Sequence, residues 1–434
     1  ISTVGTRREW PPCLPLSPTL SLNERAAWLR AQGQRVVHLG FGEAGLPVLP
    51  ELRERLGVAA SENSYAPVAG TEAARGAAAS WFDRRSVPTE ADQVVFAPGS
   101  KPLLWALVTA LPGDVVLPQP SWVTYAAQAA LAAKRVVKVP VPPGRGGVPD
   151  PERLEAQVRG ARRAGADPGI LVVTVPDNPT GTLAPRELVE QLCEVAERLD
   201  LVVIADEIYR DLAYEPDRFC SPVSVAPERV VVTGGLSKAL ALGGWRVGFA
   251  RMPSGPVGDA LRPRVLGIAS EVWSALASPM LRVAAWALED PEPVRDFVDR
   301  SRRLHANVTA AVWRALDGSG VPCPRPEAAF YLYPDFGPLR GDLARKGIRD
   351  GRSLAHHLLE SHGIAALPGE AFGDEGSALR LRLAVSLLYG DTEERRWASL
   401  RADDPASLPW IRSSVEQLAA ATSSLRDGRD VVCP

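Results

Sequence analysis

The chain has 434 residues, 46% hydrophobic and 23% charged, a composition typical of a globular protein with two or three domains. Its formal net charge is −2 and it has no basic stripe, which argues against nucleic acid as a partner. No apolar run approaches the roughly 18 residues of a membrane span. The N-terminal residues lack the basic segment followed by an apolar segment that is typical of a signal peptide, so we do not expect one. We therefore expect a cytoplasmic protein with no membrane partner.

The cysteines are odd in number and scattered, and none forms a CxxC pair. They are Cys13, Cys193, Cys220, Cys323 and Cys433. This pattern is typical of reduced thiols in a cytosolic protein and does not predict a metal site.

Residues 72 to 250 alternate between short apolar runs and amphipathic stretches. The predicted strands are 94–96, 115–117, 136–139, 171–175, 202–204, 230–232 and 247–249. The predicted helices are 103–111, 125–133, 151–164 and 185–199. Because the apolar runs do not alternate with polar residues, helices should cover both faces of the sheet. The pattern predicts an α/β fold with a mainly parallel, doubly wound sheet.

The pattern becomes long and helical from about 285 to 316, and short strands are predicted at 330–333, 364–367 and 379–383. These elements predict a smaller α+β domain, against which the N-terminal residues should pack. We therefore divide the chain into an N-terminal segment (1–55), a large domain (56–295) and a C-terminal small domain (296–434). The tail at 412–424 is predicted to be an amphipathic helix.

Doubly wound sheets bind ligands at the carboxyl ends of their strands, and several polar residues fall there. Gly99 and Ser100 lie between a strand and a helix, where free N–H groups can bind phosphate. Asp206 closes a buried strand, where it either caps a helix or pairs with a protonated ring nitrogen. Asn178 marks a turn or contacts a ring oxygen. Trp122 is a core residue or stacks on an aromatic ligand.

Lys238 is one of only five lysines in a chain whose other basic residues are arginines. A lysine amine can lose its proton and form a Schiff base with an aldehyde, which a guanidinium cannot do. Taken alone, Ser237-Lys238 followed by Arg246 fits a surface lysine equally well.

The order and spacing of these motifs resemble the class I and II aminotransferases, pyridoxal-phosphate (PLP) enzymes with the aspartate aminotransferase fold. The resemblance covers roughly residues 35–385. The motifs that carry it are YAPVAG at 65–70, GSK at 99–101, PSW at 120–122, DNPTG at 177–181, DEIY at 206–209, Ser237-Lys238 with Arg246, and Arg380.

The resemblance implies that Lys238 forms the Schiff base with PLP and that Asp206 holds the protonated ring nitrogen. Tyr209 and Asn178 would bind the ring oxygen, and Trp122 would stack on the ring. The implied phosphate-binding residues are Gly99, Ser100, Lys101, Ser237 and Arg246, joined by Tyr65 of the partner subunit. The family's sites lie between subunits, so a homodimer is implied as well.

Arg380 is implied to bind the α-carboxylate of a small amino substrate, beside Asn178 and Gly42. Arg382, two residues on, projects from the same strand face, so this choice depends on register. The chain departs from the family pattern at Gly235 (usually Ser), Ala44-Gly45 (usually Pro-Asp) and Ala328 (usually Gly). The segment 270–274 lacks the arginine of dicarboxylate-specific members, so acidic substrates are not expected to be preferred.

The motifs leave the reaction open. Deprotonation at the substrate Cα leads to transamination, to β-elimination as in C–S lyases, or to oxidative deamination, and family frequency favours transamination. A role in primary metabolism and one in the biosynthesis of a specialised product are both open. A regulator with an aminotransferase-like domain is disfavoured, because the fold signal begins near residue 35 and no basic patch is present.

Overall fold

The structure is a computed structural model that describes residues 17–426; Cys13 and Cys433 lie outside this range. Its strands are β1 (Val37–His38), β2 (Val94–Ala97), β3 (Asp114–Gln119), β4 (Val136–Pro140), β5 (Pro168–Thr174), β6 (Val202–Asp206), β7 (Val230–Gly235), β8 (Gly248–Arg251), β9 (Tyr331–Leu332), β10 (Ile364–Ala365), β11 (Leu367–Pro368) and β12 (Leu381–Ala384).

Its α-helices are α1 (Pro18–Ala31), α2 (Pro50–Ala59), α3 (Glu72–Asp83), α4 (Ser100–Ala110), α5 (Val123–Leu131), α6 (Pro151–Arg163), α7 (Arg186–Arg198), α8 (Gly255–Val272), α9 (Ser278–Leu288), α10 (Glu292–Gly318), α11 (Arg340–Arg345), α12 (Gly351–His362), α13 (Glu393–Arg401) and α14 (Pro409–Ser424). Among the described residues, no helix combines the length and the apolar character that crossing a membrane requires.

A seven-stranded sheet forms the centre of the large domain, in the order β2-β8-β7-β6-β5-β3-β4. All pairs are parallel except those of β8, which runs antiparallel to both β2 and β7. Alternate residues of β5 enter different cores: Ile170 and Val172 pack with α4, α5 and α8, whereas Leu171 and Val173 pack with α6 and α7. Both faces are therefore covered by helices, and the predicted α/β class is confirmed.

The smaller sheets join the two ends of the chain. β1 pairs in parallel with β10, so the N-terminal part packs on the C-terminal part. β11, β12 and β9 form an antiparallel sheet. The predicted strand 364–367 is thus two strands in two sheets, β10 and β11.

The predicted helical run 285–316 is also two elements. α9 ends at Leu288 and α10 begins at Glu292, because Asp290 has a left-handed backbone (φ 52°) and Pro291 precedes the new helix. α10 continues without a break through residue 295, so the division of the chain at 295/296 stays a prediction.

Candidate active site

The carboxyl ends of the parallel strands open into a cavity of about 750 Å³, called here the lysine cavity. The sequence-predicted residues that line it are Gly42, Ser100, Lys101, Trp122, Asn178, Asp206, Tyr209, Ser237, Lys238 and Arg246. Three other predicted residues lie elsewhere. Gly99 lies against the Arg246 guanidinium, Tyr65 lies in a neighbouring cavity, and Arg380 lies among carboxylates of the small domain.

Lys238 follows β7, and its Nζ donates a hydrogen bond to the carbonyl oxygen of Gly42. Burial in the cavity, followed by the positive charge of Arg382, lowers the pKa of Lys238 to about 8. The carboxylates of Glu43 and Asp206 act in the opposite direction. A neutral, nucleophilic amine is therefore far more accessible near neutral pH than in an ordinary lysine.

Asp206 is the last residue of β6 and is almost fully buried. It accepts hydrogen bonds from the Tyr125 hydroxyl at 2.9 Å and the Thr233 hydroxyl at 3.2 Å. Burial raises the pKa of Asp206 to about 6, although these hydrogen bonds favour the ionised form. A cationic N–H brought against this carboxylate would offset the cost of burying its charge. Asp206 also accepts a hydrogen bond from the Ile208 backbone, but the short helix that follows at Arg210–Leu212 has Tyr209 at its N-cap position, so Asp206 is not a helix cap.

An anion-binding corner lies where β2 meets α4. Gly99 precedes α4 with a φ of 91°, and a Cβ at this position would overlap the Arg246 guanidinium. The free N–H groups at the start of α4 therefore lie next to Arg246, with Lys101 also on the cavity wall. A Cβ at Gly235 would lie 2.6 Å from the Val247 carbonyl oxygen, so the family's serine has no room here.

The Tyr209 hydroxyl lies 2.7 Å from the hydroxyl of Tyr331, a buried residue of β9 that also lines the cavity. Asn178 lines the same cavity and is almost fully buried. Tyr331 was not predicted as a site residue, although the predicted strand 330–333 contains it.

The predicted substrate arginine, Arg380, does not line the lysine cavity, and Arg382 lies there instead. Arg382 is buried on β12, lines the lysine cavity, and donates to the Gly40 carbonyl (2.5 Å) and to Asn178 Oδ1 (3.5 Å). Its guanidinium carbon lies 5.0 Å from the ring centroids of both Tyr331 and Phe372.

Arg380 instead pairs with Asp335 at 3.2 Å and Asp374 at 3.3 Å. Both arginines project from the same face of the strand, but Arg380 precedes β12 and only Arg382 is level with the cavity. Alternation along the strand could not distinguish these two positions.

The family described as aminotransferase class I and II matches residues 35–388. The chain belongs to this family. It is 33% identical over 388 residues to the aspartate/prephenate aminotransferase of Thermus thermophilus, with 87% of this chain and 92% of that protein covered. It is 32% identical over 383 residues to the aspartate aminotransferase of Streptomyces avermitilis, with 86% and 90% covered. The solved Thermus thermophilus aspartate aminotransferase with maleate is 29% identical, with a TM-score of 0.79 and 94% and 97% coverage.

Class I and II aminotransferases are PLP enzymes, and the lysine cavity has the chemistry to fit that cofactor. Lys238 can react with the aldehyde, and the buried Asp206 is suited to a protonated ring nitrogen. The corner of α4 and Arg246 is suited to a phosphate, and Trp122 supplies an aromatic wall. Within residues 17–426, no group of three or more His, Cys, Asp or Glu side chains could hold a metal ion.

Several lining residues were not predicted as site residues. They are Ser17, Thr19, Leu20 and Asn23 at the start of α1, and Phe41 and Glu43 after β1. α1 buries only Ala26 and Leu29, so it lacks the apolar periodicity by which a helix is predicted. Glu43 follows the predicted Gly42 directly, and this adjacency was the one clue available.

Proposed function

We propose that this aminotransferase moves an amino group between an amino acid and a keto acid, using PLP held by Lys238. One observation carries the proposal: a lysine of lowered pKa, a buried carboxylate and a buried arginine line the same cavity. Each supplies a different function that transamination needs.

Three groups would hold the cofactor ring. Asp206 would keep a proton on the ring nitrogen, and the side chains of Tyr209 and Asn178 would donate hydrogen bonds to the ring oxygen. When bound, PLP withdraws electrons from the substrate Cα and so acidifies its C–H bond. Asp206 strengthens this effect, because its negative charge stabilises the protonated ring nitrogen.

Lys238 would move the proton. Its neutral Nζ would act as the base that takes the proton from the substrate Cα and would later give that proton up as an acid. The lowered pKa of about 8 makes the neutral amine available for this work. The Gly42 carbonyl, which accepts a hydrogen bond from Nζ, limits where the amine can lie.

Arg382 would bind the substrate α-carboxylate. A guanidinium can bind a carboxylate through two parallel hydrogen bonds, which orients the substrate as well as holding it. Tyr331, Phe372 and the Gly40 carbonyl constrain the guanidinium before substrate arrives.

Aspartate is the first amino acid to test as a substrate, because these relatives are named for aspartate. The prediction that acidic substrates are not preferred rests on segment 270–274. In one chain, Trp273 and Ser274 line a separate cavity of about 490 Å³ with Tyr65. Within one subunit this segment does not line the lysine cavity, so its effect on substrate choice stays a prediction.

A homodimer is part of the proposal. Tyr65 is 96% exposed, and Arg246 lines both its cavity and the lysine cavity. A tyrosine left so exposed beside a phosphate-binding arginine is well placed to meet a second copy of the chain. Sedimentation at assay concentration tests this, and a fully active monomer would contradict it. A cytoplasmic location, tested by cell fractionation, belongs to the same proposal.

Product analysis tests the reaction. The holoenzyme is incubated with a panel of amino acids, including aspartate, glutamate and cysteine conjugates, with and without a keto acid. Transamination yields a keto acid and the pyridoxamine form of the cofactor. Thiol with ammonia would indicate β-elimination, and peroxide would indicate oxidative deamination; either as the main outcome would refute the proposal.

A further inference from the structure

Two tyrosine hydroxyls meet in the lysine cavity. The Tyr209 and Tyr331 hydroxyl oxygens lie 2.7 Å apart, and the two rings meet edge to face with centroids 5.4 Å apart. Both residues are buried, so this hydrogen bond is shielded from water.

The Tyr331 hydroxyl occupies a space left by a glycine. A Cβ at Gly42 would lie 2.5 Å from the Tyr331 hydroxyl oxygen, and Gly42 also accepts the hydrogen bond from Lys238. The Tyr331 hydroxyl therefore lies beside Tyr209 and beside Gly42, the residue whose carbonyl accepts from Lys238.

Proton counting gives the bond between the tyrosines a direction. The argument rests on the proposed function, in which Tyr209 donates its single hydroxyl proton to the ring oxygen of PLP. Tyr209 can then only accept from Tyr331, so Tyr331 is the donor. Burial raises the pKa of both hydroxyls, so both carry their protons at neutral pH.

We propose that Tyr331 is a positioning residue that donates to the Tyr209 hydroxyl and strengthens the hydrogen bond from Tyr209 to the cofactor oxygen. Hydrogen bonds in a chain polarise one another, so an accepting hydroxyl becomes a better donor. A stronger bond to that oxygen withdraws negative charge from it. The oxygen then stabilises a proton on the neighbouring Lys238 nitrogen less well.

The test is a spectrophotometric pH titration of the holoenzyme, whose visible absorbance reports protonation of the Lys238 nitrogen in the PLP-bound form. Tyr331→Phe should raise this pKa by about 0.3 unit, because only the polarising bond is lost. Tyr209→Phe should raise it further, because the direct bond is lost.

The double variant Tyr209→Phe/Tyr331→Phe should titrate as Tyr209→Phe does, since Tyr331 acts only through Tyr209. Tyr333→Phe is the matched control: this buried tyrosine donates to Asp374, outside the cavity, and its loss should leave the titration unchanged.

Gly42→Ala gives a second route should Tyr331→Phe fail to fold, because the added methyl displaces the Tyr331 hydroxyl. Gly42→Ala should also raise the pKa of the Lys238 nitrogen, and this rise should vanish in the Tyr209→Phe background. A rise that persists in that background would overturn the inference.

Two outcomes for the main variants would also overturn the inference. One is a Tyr331→Phe variant in which the pKa of the Lys238 nitrogen is the same as in the wild type. The other is a change in this pKa on Tyr331→Phe that persists in the Tyr209→Phe background. Both leave the proposed function intact. A wild-type protein that takes up no PLP on Lys238 would instead refute the proposed function, and this inference with it.

Discussion

Two cavities of similar size differ in how their charges are partnered. The lysine cavity is about 750 Å³, and a second cavity, beside the start of α10, is about 730 Å³. The second, called here the arginine cavity, contains more charge. Its charged lining residues are Arg84, Arg85, Arg186, Arg210, Asp211, Asp217, Glu289, Asp290, Arg295, Asp299 and Arg302.

In the arginine cavity, opposite charges neutralise one another. Arg85 binds Asp290 at 2.6 Å and Asp211 at 3.0 Å, and Arg210 binds the buried Glu207 at 2.9 Å. The pKa of Arg85 is raised, because these carboxylates more than offset its burial.

In the lysine cavity, the charged groups hydrogen-bond to neutral partners. Lys238 binds a carbonyl, Asp206 binds two hydroxyls, and Arg382 binds a carbonyl and an amide. Burial therefore moves the pKa of Lys238 down and that of Asp206 up. Charged groups that form no direct ion pair mark the binding site better than the number of charges does.

The largest effect should come from Lys238→Arg. This change keeps a cation in the lysine cavity but removes the group that can lose a proton, so turnover should fall by about 10³-fold or more. Borohydride treatment of wild-type holoenzyme should fix PLP on Lys238 and leave the variant unlabelled. Lys134→Arg is the control, because Lys134 binds the carbonyls of Leu111 and Gly113, outside the cavity. A label on any other lysine would contradict the assignment.

The same lysine predicts a pH dependence for PLP uptake by the apoprotein. The reactive form is the neutral amine, and the pKa is lowered to about 8. The uptake rate should therefore rise with pH and level off above about 8. A rate that keeps rising toward the pKa of an ordinary lysine, about 10.4, would show that Lys238 is not buried as described.

Asp206→Asn should have the next largest effect. The amide keeps the shape and the bond from Tyr125 but cannot stabilise a cationic ring nitrogen. We expect PLP to remain bound while kcat falls by about 10²-fold or more. Cofactor absorbance and steady-state kinetics measure the two effects separately, and near-normal turnover would contradict the role of Asp206.

Arg382 and Arg380 provide a matched pair of smaller effect. Arg382→Lys removes the two-pronged carboxylate site, so KM for the amino substrate should rise by about 10- to 100-fold with PLP still bound. Arg380→Lys should change KM by less than about threefold, because its partners are Asp335 and Asp374. Steady-state kinetics on both variants compares the two increases in KM. A larger increase for Arg380→Lys than for Arg382→Lys would restore Arg380 as the substrate arginine.

Arg380 and Arg382 show how much of the fold and the site could be predicted from the sequence. Continuous apolar runs predicted the sheet, and polar residues at strand ends predicted the part of the cavity wall that holds Asn178, Asp206 and Lys238, because parallel strands end at one edge. Period-two alternation cannot distinguish residue i from i+2, so Arg380 and Arg382 were indistinguishable. Residues such as Asn23 and Glu43 come from segments with little periodicity, and only tertiary packing brings them to the cavity.

The smallest effect on activity should come from the arginine cavity. Arg85→Met keeps the apolar stem but leaves Asp290 and Asp211 without their shared cation. Hydrogen bonds to charged groups contribute about 1.5–3 kcal/mol each, so the midpoint of thermal unfolding should fall by several degrees.

Arg159→Met, which breaks an exposed pair with Glu155 on α6, is the control and should cost less than about 1 kcal/mol. Both variants should keep kcat/KM within about twofold of wild type, because neither touches the lysine cavity. If Arg85→Met lowered kcat/KM as strongly as Arg382→Lys, the arginine cavity would take part in function. The contrast between neutralised and unneutralised charges would then fail as a guide to this protein's site.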